Sequence, residues 1–369
     1  MICPMTTPSP LPPAFSGRST IGVVPSLVWG VPSPVIPDEV ARADRAVLLV
    51  LDSLGWEQMA ERPGLAPNLE AMDGGSATTV APSTTAAALT SISTGVAPGE
   101  HGIVGYRFPA GGAVMNALRW TTTGGDHRNA VPPTSVQVAP PLGGGDWSIV
   151  SNRQFATSAF TEAYLGTNPY HGYEHPSSIV AEVRRLLDAG ERRVYAYYDG
   201  LDHVAHIHGL ASGHFDLELG FCDWLVGRLL DALPTGTALV VTADHGQIDA
   251  APIVTIDDEV LRHTSGRSGE PRFRWLHANA GAEADLLAAA TAAHADQAWV
   301  HSRDQLIDEG WFGPTVTDAA RNRMGDVALV AHAPVGFDDP GERHADLLKG
   351  RHGSVTPAEM LVPVLHALA

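Results

Sequence analysis

Four unbroken apolar runs punctuate the chain: Ala46 to Leu51 (AVLLVL), Val194 to Tyr198 (VYAYY), Ala238 to Thr242 (ALVVT) and Val327 to Ala331 (VALVA). Runs without an alternating polar position suit strands buried on both faces, as in a parallel sheet. Between them lie stretches with helical character, including Ser178 to Ala189 and Leu217 to Leu233. Strands alternating with helices predict a doubly wound, mainly parallel α/β sheet with helices on both faces, and ligands of such sheets gather outside the carboxyl ends of the strands. Residues 41–250 and 326–369 read as this core. Residues 251–325 interrupt the pattern with mixed strand and helix signals, Ala282 to Ala295 being Ala-rich and helical, and read as a smaller inserted cap. Residues 1–40 carry Pro4, Pro8, Pro10, Pro12, Pro13, Pro32, Pro34 and Pro37. They read as an extended arm packed on the domain and not as part of its core.

The strand-end rule makes several polar residues conspicuous. Asp52 directly follows the first run, Asp202 lies a few residues after the second, and Asp244-His245 follow the third. Asp202 and His206 stand four apart, so on a helical turn both point to one side and can share a metal ion. Asp199 is an alternative ligand there, or a turn residue. In TADHG, Gly246 permits a tight turn after the carboxylate and imidazole, although an Asp-led turn is an ordinary structural feature too. His352 lies between Gly350 and Gly353, ahead of Thr356-Pro357, which reads as an N-cap and first position of a terminal helix. Thr85 opens a stretch of small residues that reads as a helix over Thr85 to Ser93. A hydroxyl in that first turn meets the positive end of the helix dipole, which favours an alkoxide and a phosphate. Ser and Thr are also common helix caps, and local chemistry does not separate Thr85 from Ser83 or Thr84 as a nucleophile.

Charge and composition narrow the function. With 41 acidic against 23 basic residues the formal charge is -18, which repels a polyanion and argues against duplex nucleic acid as a partner. A small anion remains compatible, because bound divalent cations reverse the local sign. Cys3 and Cys222 are the two cysteines, which excludes a disulfide framework and favours a reducing cytoplasm. The first residues lack the charged and apolar regions of a secretory signal, and no run of about 18 apolar residues occurs. The expectation is a cytoplasmic chain without membrane partners. Most of the 17 histidines lie in polar stretches and read as surface residues.

The order Asp52, Thr85, Asp202/His206, Asp244/His245, His352, with HGIVGY at 101–106, resembles the nucleotide pyrophosphatase/phosphodiesterase branch of the alkaline phosphatase superfamily from Ala46 onward. PSTTAAALTSISTG, NALRW, EGWFGP, MGD and HGSVTPAEMLVPVL are more narrowly similar to actinobacterial phosphodiesterases that cleave cyclic di-AMP. The resemblance implies an alkaline-phosphatase-like fold and two divalent cations, zinc or manganese, which Asp and His ligands suit better than calcium. It implies that Asp52, Thr85, Asp244 and His245 hold one cation, and Asp202, His206 and His352 the other. It further implies Thr85 as nucleophile, a phosphothreonine intermediate, and a small nucleotide such as cyclic di-AMP and its linear product pApA as substrate, released as AMP. A general nucleotide pyrophosphatase, a phosphomonoesterase, a phosphonate hydrolase and a non-catalytic nucleotide-binding protein are the alternatives. The chain departs from the broad family in two places. Ala86-Ala87-Ala88-Leu89 stands where many relatives carry Phe-Pro-Asn-His, and HGIVGY ends in Tyr106 where relatives commonly place Asn. Phosphate recognition accordingly points to Tyr106, Asn116 or Arg119. His203 and Trp120 are further base contacts, with a core role for Trp120 the stronger reading.

Overall fold

The computed structural model describes residues 8–250, 252–342 and 347–369; Cys3, Pro4 and Ala251 thus lie outside the described residues. Two sheets position the site. In chain order their strands are β1 (Arg45–Leu51), β2 (Asp73–Thr78), β3 (Ser148–Asn152), β4 (Tyr170–Tyr173), β5 (Arg193–Tyr198), β6 (Thr237–Thr242), β7 (Thr264–Glu270), β8 (Phe273–Ala278), β9 (Ala298–Ser302), β10 (Val327–Ala331) and β11 (Leu361–Leu368). The helices used below are α1 (Val23–Trp29), α2 (Thr85–Thr94), α3 (Ser178–Asp188), α4 (Gly200–His208), α5 (Gly213–Ala232) and α6 (Glu283–His294).

The seven-stranded sheet has the order β2-β11-β6-β1-β5-β3-β4. From β6 to β4 every pairing is parallel, and β11 runs antiparallel between β6 and β2. Successive residues of β1 enter opposite cores. Ala46, Leu48 and Val50 pack with Trp120, Trp147 and Tyr197 on one face, whereas Val47, Leu49 and Leu51 pack with helices α3 and α5 on the other. Burial on both faces explains the uninterrupted apolar run. The doubly wound, mainly parallel α/β fold matches the expectation, and the carboxyl ends of adjacent β6, β1 and β5 share one edge.

Four local expectations need correction. Val327–Ala331 does not return to this sheet but pairs antiparallel with β8 and β9 in a four-stranded sheet of order β7-β8-β10-β9. Its run is apolar throughout because Ala328 and Val330 face the first core while Val327, Leu329 and Ala331 face Leu286 and Ala290 of α6. The same signature therefore arises in either sheet. The excursion closes where Ile253–Val254 pairs with Gly336–Phe337, and Ile248–Asp249 pairs with Gly350–Arg351. Its exit thus lies beyond the expected boundary at 325.

The N-terminal segment, expected to pack on the domain without joining its core, contributes to that core from its described residues. Val23, Val24 and Leu27 of α1, with Val35, Ile36 and Val40, are buried in the first core. Pro25 sits in the first turn of α1, where a missing N–H costs no helix bond. The expected terminal helix is a single turn, Pro357–Met360, before the chain extends into β11. Pro363 would have fallen inside a continuing helix; in β11 its carbonyl accepts the Thr242 hydroxyl at 2.8 Å.

Candidate active site

The edge shared by β6, β1 and β5 carries the site. Asp52 follows β1 and is held by its N–H to the Tyr198 carbonyl at 2.9 Å. Ser53 then turns at φ 67°, an unusual value for a residue with a side chain. The turn sends its N–H to Asp244 Oδ1 at 3.1 Å. Asp244 and His245 follow β6, and a side chain at Gly246 would strike the Ala358 carbonyl, so this turn requires glycine. Asp202 and His206 lie one turn apart on α4, with Asp202 Oδ1 3.3 Å from His206 Nε2. His352 precedes Gly353, whose φ of 125° only glycine adopts readily.

A common pattern orients the three imidazoles. Nδ1 of His206 faces the Gly350 carbonyl at 2.8 Å, that of His245 the Gly246 carbonyl at 3.1 Å, and that of His352 the Ser83 carbonyl at 2.9 Å. A backbone carbonyl fixes Nδ1 as the protonated nitrogen, leaving the Nε2 lone pair free to act as a ligand. His245 Nε2 lies 3.5 Å from Asp52 Oδ1, 3.4 Å from Asp244 Oδ2 and 3.1 Å from Thr85 Oγ1. The His352 ring stacks on His245 at 3.6 Å, and its Nε2 stands 3.9 Å from Asp202 Oδ1. The seven residues Asp52, Thr85, Asp202, His206, Asp244, His245 and His352 are thus brought together.

Ser83 and Thr84 occupy other positions. The Ser83 hydroxyl donates to the Ser354 carbonyl at 2.6 Å and accepts the Gly353 N–H at 3.1 Å, so it ties two backbone segments together. Thr84 is the buried residue preceding α2. Thr85, by contrast, is the first residue of α2, partly accessible, with its hydroxyl directed at His245.

The donor set fits divalent cations. Asp52 Oδ1 and Asp244 Oδ2 are buried without a hydrogen-bond partner among the described residues. Burial, then neighbouring Asp244 and Asp202, pushes the Asp52 carboxyl well above the usual carboxylate range, and burial raises Asp244 too. Burial, then His245 and His206, holds His352 well below the usual imidazole range and so favours the neutral ligand form. Ligand atoms of Asp202, His206 and His352 all lie within 4.8 Å of one another, as do those of Asp52, Asp202 and His245. Asp199 belongs to neither group and occupies the N-cap position of α4.

Of the expected recognition residues, Tyr106, Asn116 and Arg119 lie together on one hairpin and the turn that follows it. The Tyr106 carbonyl accepts the Ala117 N–H at 2.8 Å beside Asn116, and the Arg119 backbone N–H donates to Asn116 Oδ1 at 2.9 Å. His203 is exposed on α4. Among the described residues no hydrogen bond or ion pair joins these four to the carboxylate–imidazole group. Trp120 is a core residue, its indole N–H donating to the Val131 carbonyl at 2.7 Å. His101 of HGIVGY is buried, with Nδ1 accepting the Ile103 N–H at 3.1 Å and Nε2 2.8 Å from the Ser91 hydroxyl; burial lowers its pKa to about 3, so it is a neutral structural residue.

Two polar contacts were missed by sequence reasoning. Tyr197 donates its phenol to Asp52 Oδ2, and Gln247 donates its amide to Asp202 Oδ1 at 2.6 Å. Tyr197 lies inside an apolar run and reads there as core; Gln247, directly after the DHG turn, was the more discoverable.

Residues 46–354 match the family model for type I phosphodiesterase / nucleotide pyrophosphatase. Comparison with curated proteins gave no match. Among solved structures, the chain is similar to human ectonucleotide pyrophosphatase/phosphodiesterase 5, at 19% identity over 87% of each chain and a TM-score of 0.65. The murine counterpart, also solved in an inactive threonine-to-alanine form with AMP, is 16% identical over 87% of each chain, with TM-scores of 0.65 and 0.64. Phosphonoacetate hydrolase from Sinorhizobium meliloti 1021, solved with phosphonoformate, is 19% identical over 87% of this chain and 89% of its own, with a TM-score of 0.63. At these identities the structural likeness speaks to the fold, which is alkaline-phosphatase-like.

Proposed function

The chain belongs to the type I phosphodiesterase/nucleotide pyrophosphatase family of metal-dependent hydrolases, and from that premise we propose that it hydrolyses a small nucleotide phosphodiester through nucleophilic attack by Thr85. The carrying observation is the Thr85 hydroxyl, at the first turn of α2 and 3.1 Å from His245 Nε2, beside the carboxylates of Asp52 and Asp244. Asp52, Thr85, Asp244 and His245 would hold one divalent cation and Asp202, His206 and His352 a second, with zinc or manganese the ions this donor set suits. When bound, such a pair polarises the phosphoryl oxygens and lowers the pKa of a hydroxyl beside it.

The chain's own residues supply the rest. The N-terminal end of α2 adds a favourable dipole for the incoming phosphate. Thr85 Oγ gives up its proton and forms a bond to phosphorus as the bond to the leaving nucleoside oxygen breaks and that oxygen takes up a proton, giving a phosphothreonine that still carries the remaining nucleotide ester. Water then attacks phosphorus, the Thr85–phosphorus bond breaks, and the configuration at phosphorus is retained overall. Tyr106, Asn116 and Arg119 form a polar cluster suited to a phosphate or ribose group, and His203 to a base edge. Cyclic di-AMP and its linear product pApA, yielding AMP, are the substrates to which NALRW, EGWFGP and HGSVTPAEMLVPVL point. The excursion between β6 and β11 would cover the site and select the base, and a cytoplasmic location follows from a cyclic dinucleotide substrate.

A second reading is phosphonate hydrolysis, motivated by the structural likeness to phosphonoacetate hydrolase. Incubating the zinc- or manganese-loaded protein with cyclic and linear dinucleotides, phosphonoacetate, and mono- and bis-nitrophenyl phosphate discriminates them. Faster turnover of the monoester or of the phosphonate would reject the diesterase reading. Thr85→Ala is expected to abolish hydrolysis while cation stoichiometry persists; retained turnover would place the nucleophile elsewhere.

A further inference from the structure

We propose that Tyr197 is a positioning residue for cation binding, its phenol fixing one oxygen of Asp52 so that the other is presented to the ligand cluster. This rests on the reading of Asp52 as a ligand. Tyr197 lies on β5 in register with Val50, two residues before Asp52, on the strand immediately beside β1. It is buried at 5% exposure, and its hydroxyl donates to Asp52 Oδ2. The other oxygen, Oδ1, is buried, has no hydrogen-bond partner among the described residues, and faces His245 Nε2 at 3.5 Å. The two oxygens are therefore differentiated by a single neighbour.

The chemistry of that neighbour matters. A carboxylate that rotates freely between its two oxygens loses rotational freedom on binding a cation, and a donor already bound to one oxygen removes that cost in advance. A phenol does so as a neutral group. Arg or Lys in the same place would neutralise Asp52 and weaken its attraction for a divalent cation, whereas the neutral Tyr phenol adds no competing positive charge. The phenol is itself anchored. Its ring meets Phe155 edge-on at 6.3 Å between centroids, its backbone carbonyl accepts the Tyr173 hydroxyl at 3.1 Å, and the next residue's carbonyl accepts the Asp52 N–H. The strand pairing that aligns the two backbones thus also sets the side-chain contact.

The test is a zinc titration of the metal-stripped protein by chelator competition, comparing wild type with Tyr197→Phe, Tyr173→Phe and Asp52→Ala. Tyr197→Phe keeps the ring and is expected to weaken one zinc site by ~10- to 100-fold, the range for loss of an outer hydrogen bond to a ligand. Its metal-free melting transition is expected to remain cooperative, and diesterase activity to return as zinc is raised. Tyr173→Phe, which removes a buried phenol hydrogen bond nearby without touching a carboxylate, is expected to leave zinc affinity unchanged. Wild-type affinity in Tyr197→Phe alongside weakened binding in Asp52→Ala would overturn this assignment alone. Wild-type affinity in Asp52→Ala would instead overturn Asp52 as a ligand. A Tyr197→Phe chain that does not fold, or an equal loss in Tyr173→Phe, would make the phenol a structural element and overturn the proposal.

Discussion

Glu270, the last residue of β7, brings a carboxyl into the crease between the segments bearing Tyr106 and His352. One oxygen accepts the Tyr106 N–H at 3.0 Å; the other has no hydrogen-bond partner among the described residues. A side chain at Gly353 would collide with Glu270 Cγ, so glycine there makes room for it. Burial raises this carboxyl from 4.5 to about 8, against the lowering influence of the Tyr106 amide and Arg274. The folded state therefore holds a proton that the unfolded chain releases near pH 4.5. The associated stability is complete below that value and is lost as pH rises toward 8, by up to roughly 5 kcal/mol at about 1.4 kcal/mol per pH unit. Glu270→Gln removes the titration while keeping an acceptor for Tyr106. Urea unfolding at pH 5 and pH 9 is expected to show the wild type losing stability over this interval and the variant losing several kcal/mol less, and parallel profiles would contradict it. Such a residue was not legible in the sequence, because its role arises from a crease formed by three distant segments. Asp52, Asp244 and His245 were legible because they directly follow apolar runs, with Asp202 a few residues beyond another, and the strand-end rule converts sequence position into spatial position.

At the scale of elements, the excursion is bound to the core by a buried ion pair as well as by apolar packing. Arg272, between β7 and β8, donates to both oxygens of Glu359 at 2.7 and 2.8 Å, and both side chains are fully buried. Its remaining donors reach the carbonyls of Ala331, Ala333 and Val335. Glu359 also accepts the Ser354 N–H and the Thr356 hydroxyl, and its own carbonyl accepts the Gly246 N–H. One pair thus joins the second sheet to the turns that carry His245 and His352. Arg272→Met leaves Glu359 a buried charge without its cation and is expected to cost about 3–5 kcal/mol. In a double-mutant cycle, adding Glu359→Met is expected to restore part of that loss; strictly additive costs would show that the pair is not coupled. The element types of β1, β5, β6, α3, α5 and α6 were all readable from local pattern. Sheet membership was not, since β10 has the same apolar run that a core strand would have, and α1 was obscured by counting prolines without regard to their place in a helix.

Over the whole molecule, a chain of net charge -18 gathers Asp52, Asp202 and Asp244 around one small volume. Two of these carboxylates are fully buried and raised in pKa, chiefly by burial. Three buried arginines are committed elsewhere: Arg272 to Glu359, Arg107 to Asp339, and Arg274 to Asp339 and Glu342. Among the described residues, no Arg or Lys forms an ion pair with a carboxylate of the site. Bound cations would compensate that charge, and would reverse the sign that an approaching phosphodiester meets. Stability and substrate attraction therefore share one source. A ligand that binds only the folded state adds about 2.7 kcal/mol at a hundred times its dissociation constant. Chelation is accordingly expected to lower the melting temperature by several degrees, and re-addition of zinc or manganese to restore it. Asp52→Asn/Asp244→Asn removes two buried charges, so the metal-free form of this variant is expected to melt above the metal-free wild type, while metal addition no longer raises its transition to the same extent. Differential scanning calorimetry of the four samples distinguishes this from a merely structural site. Equal responses to chelator in the wild type and the double variant would show that the stabilising cation lies elsewhere.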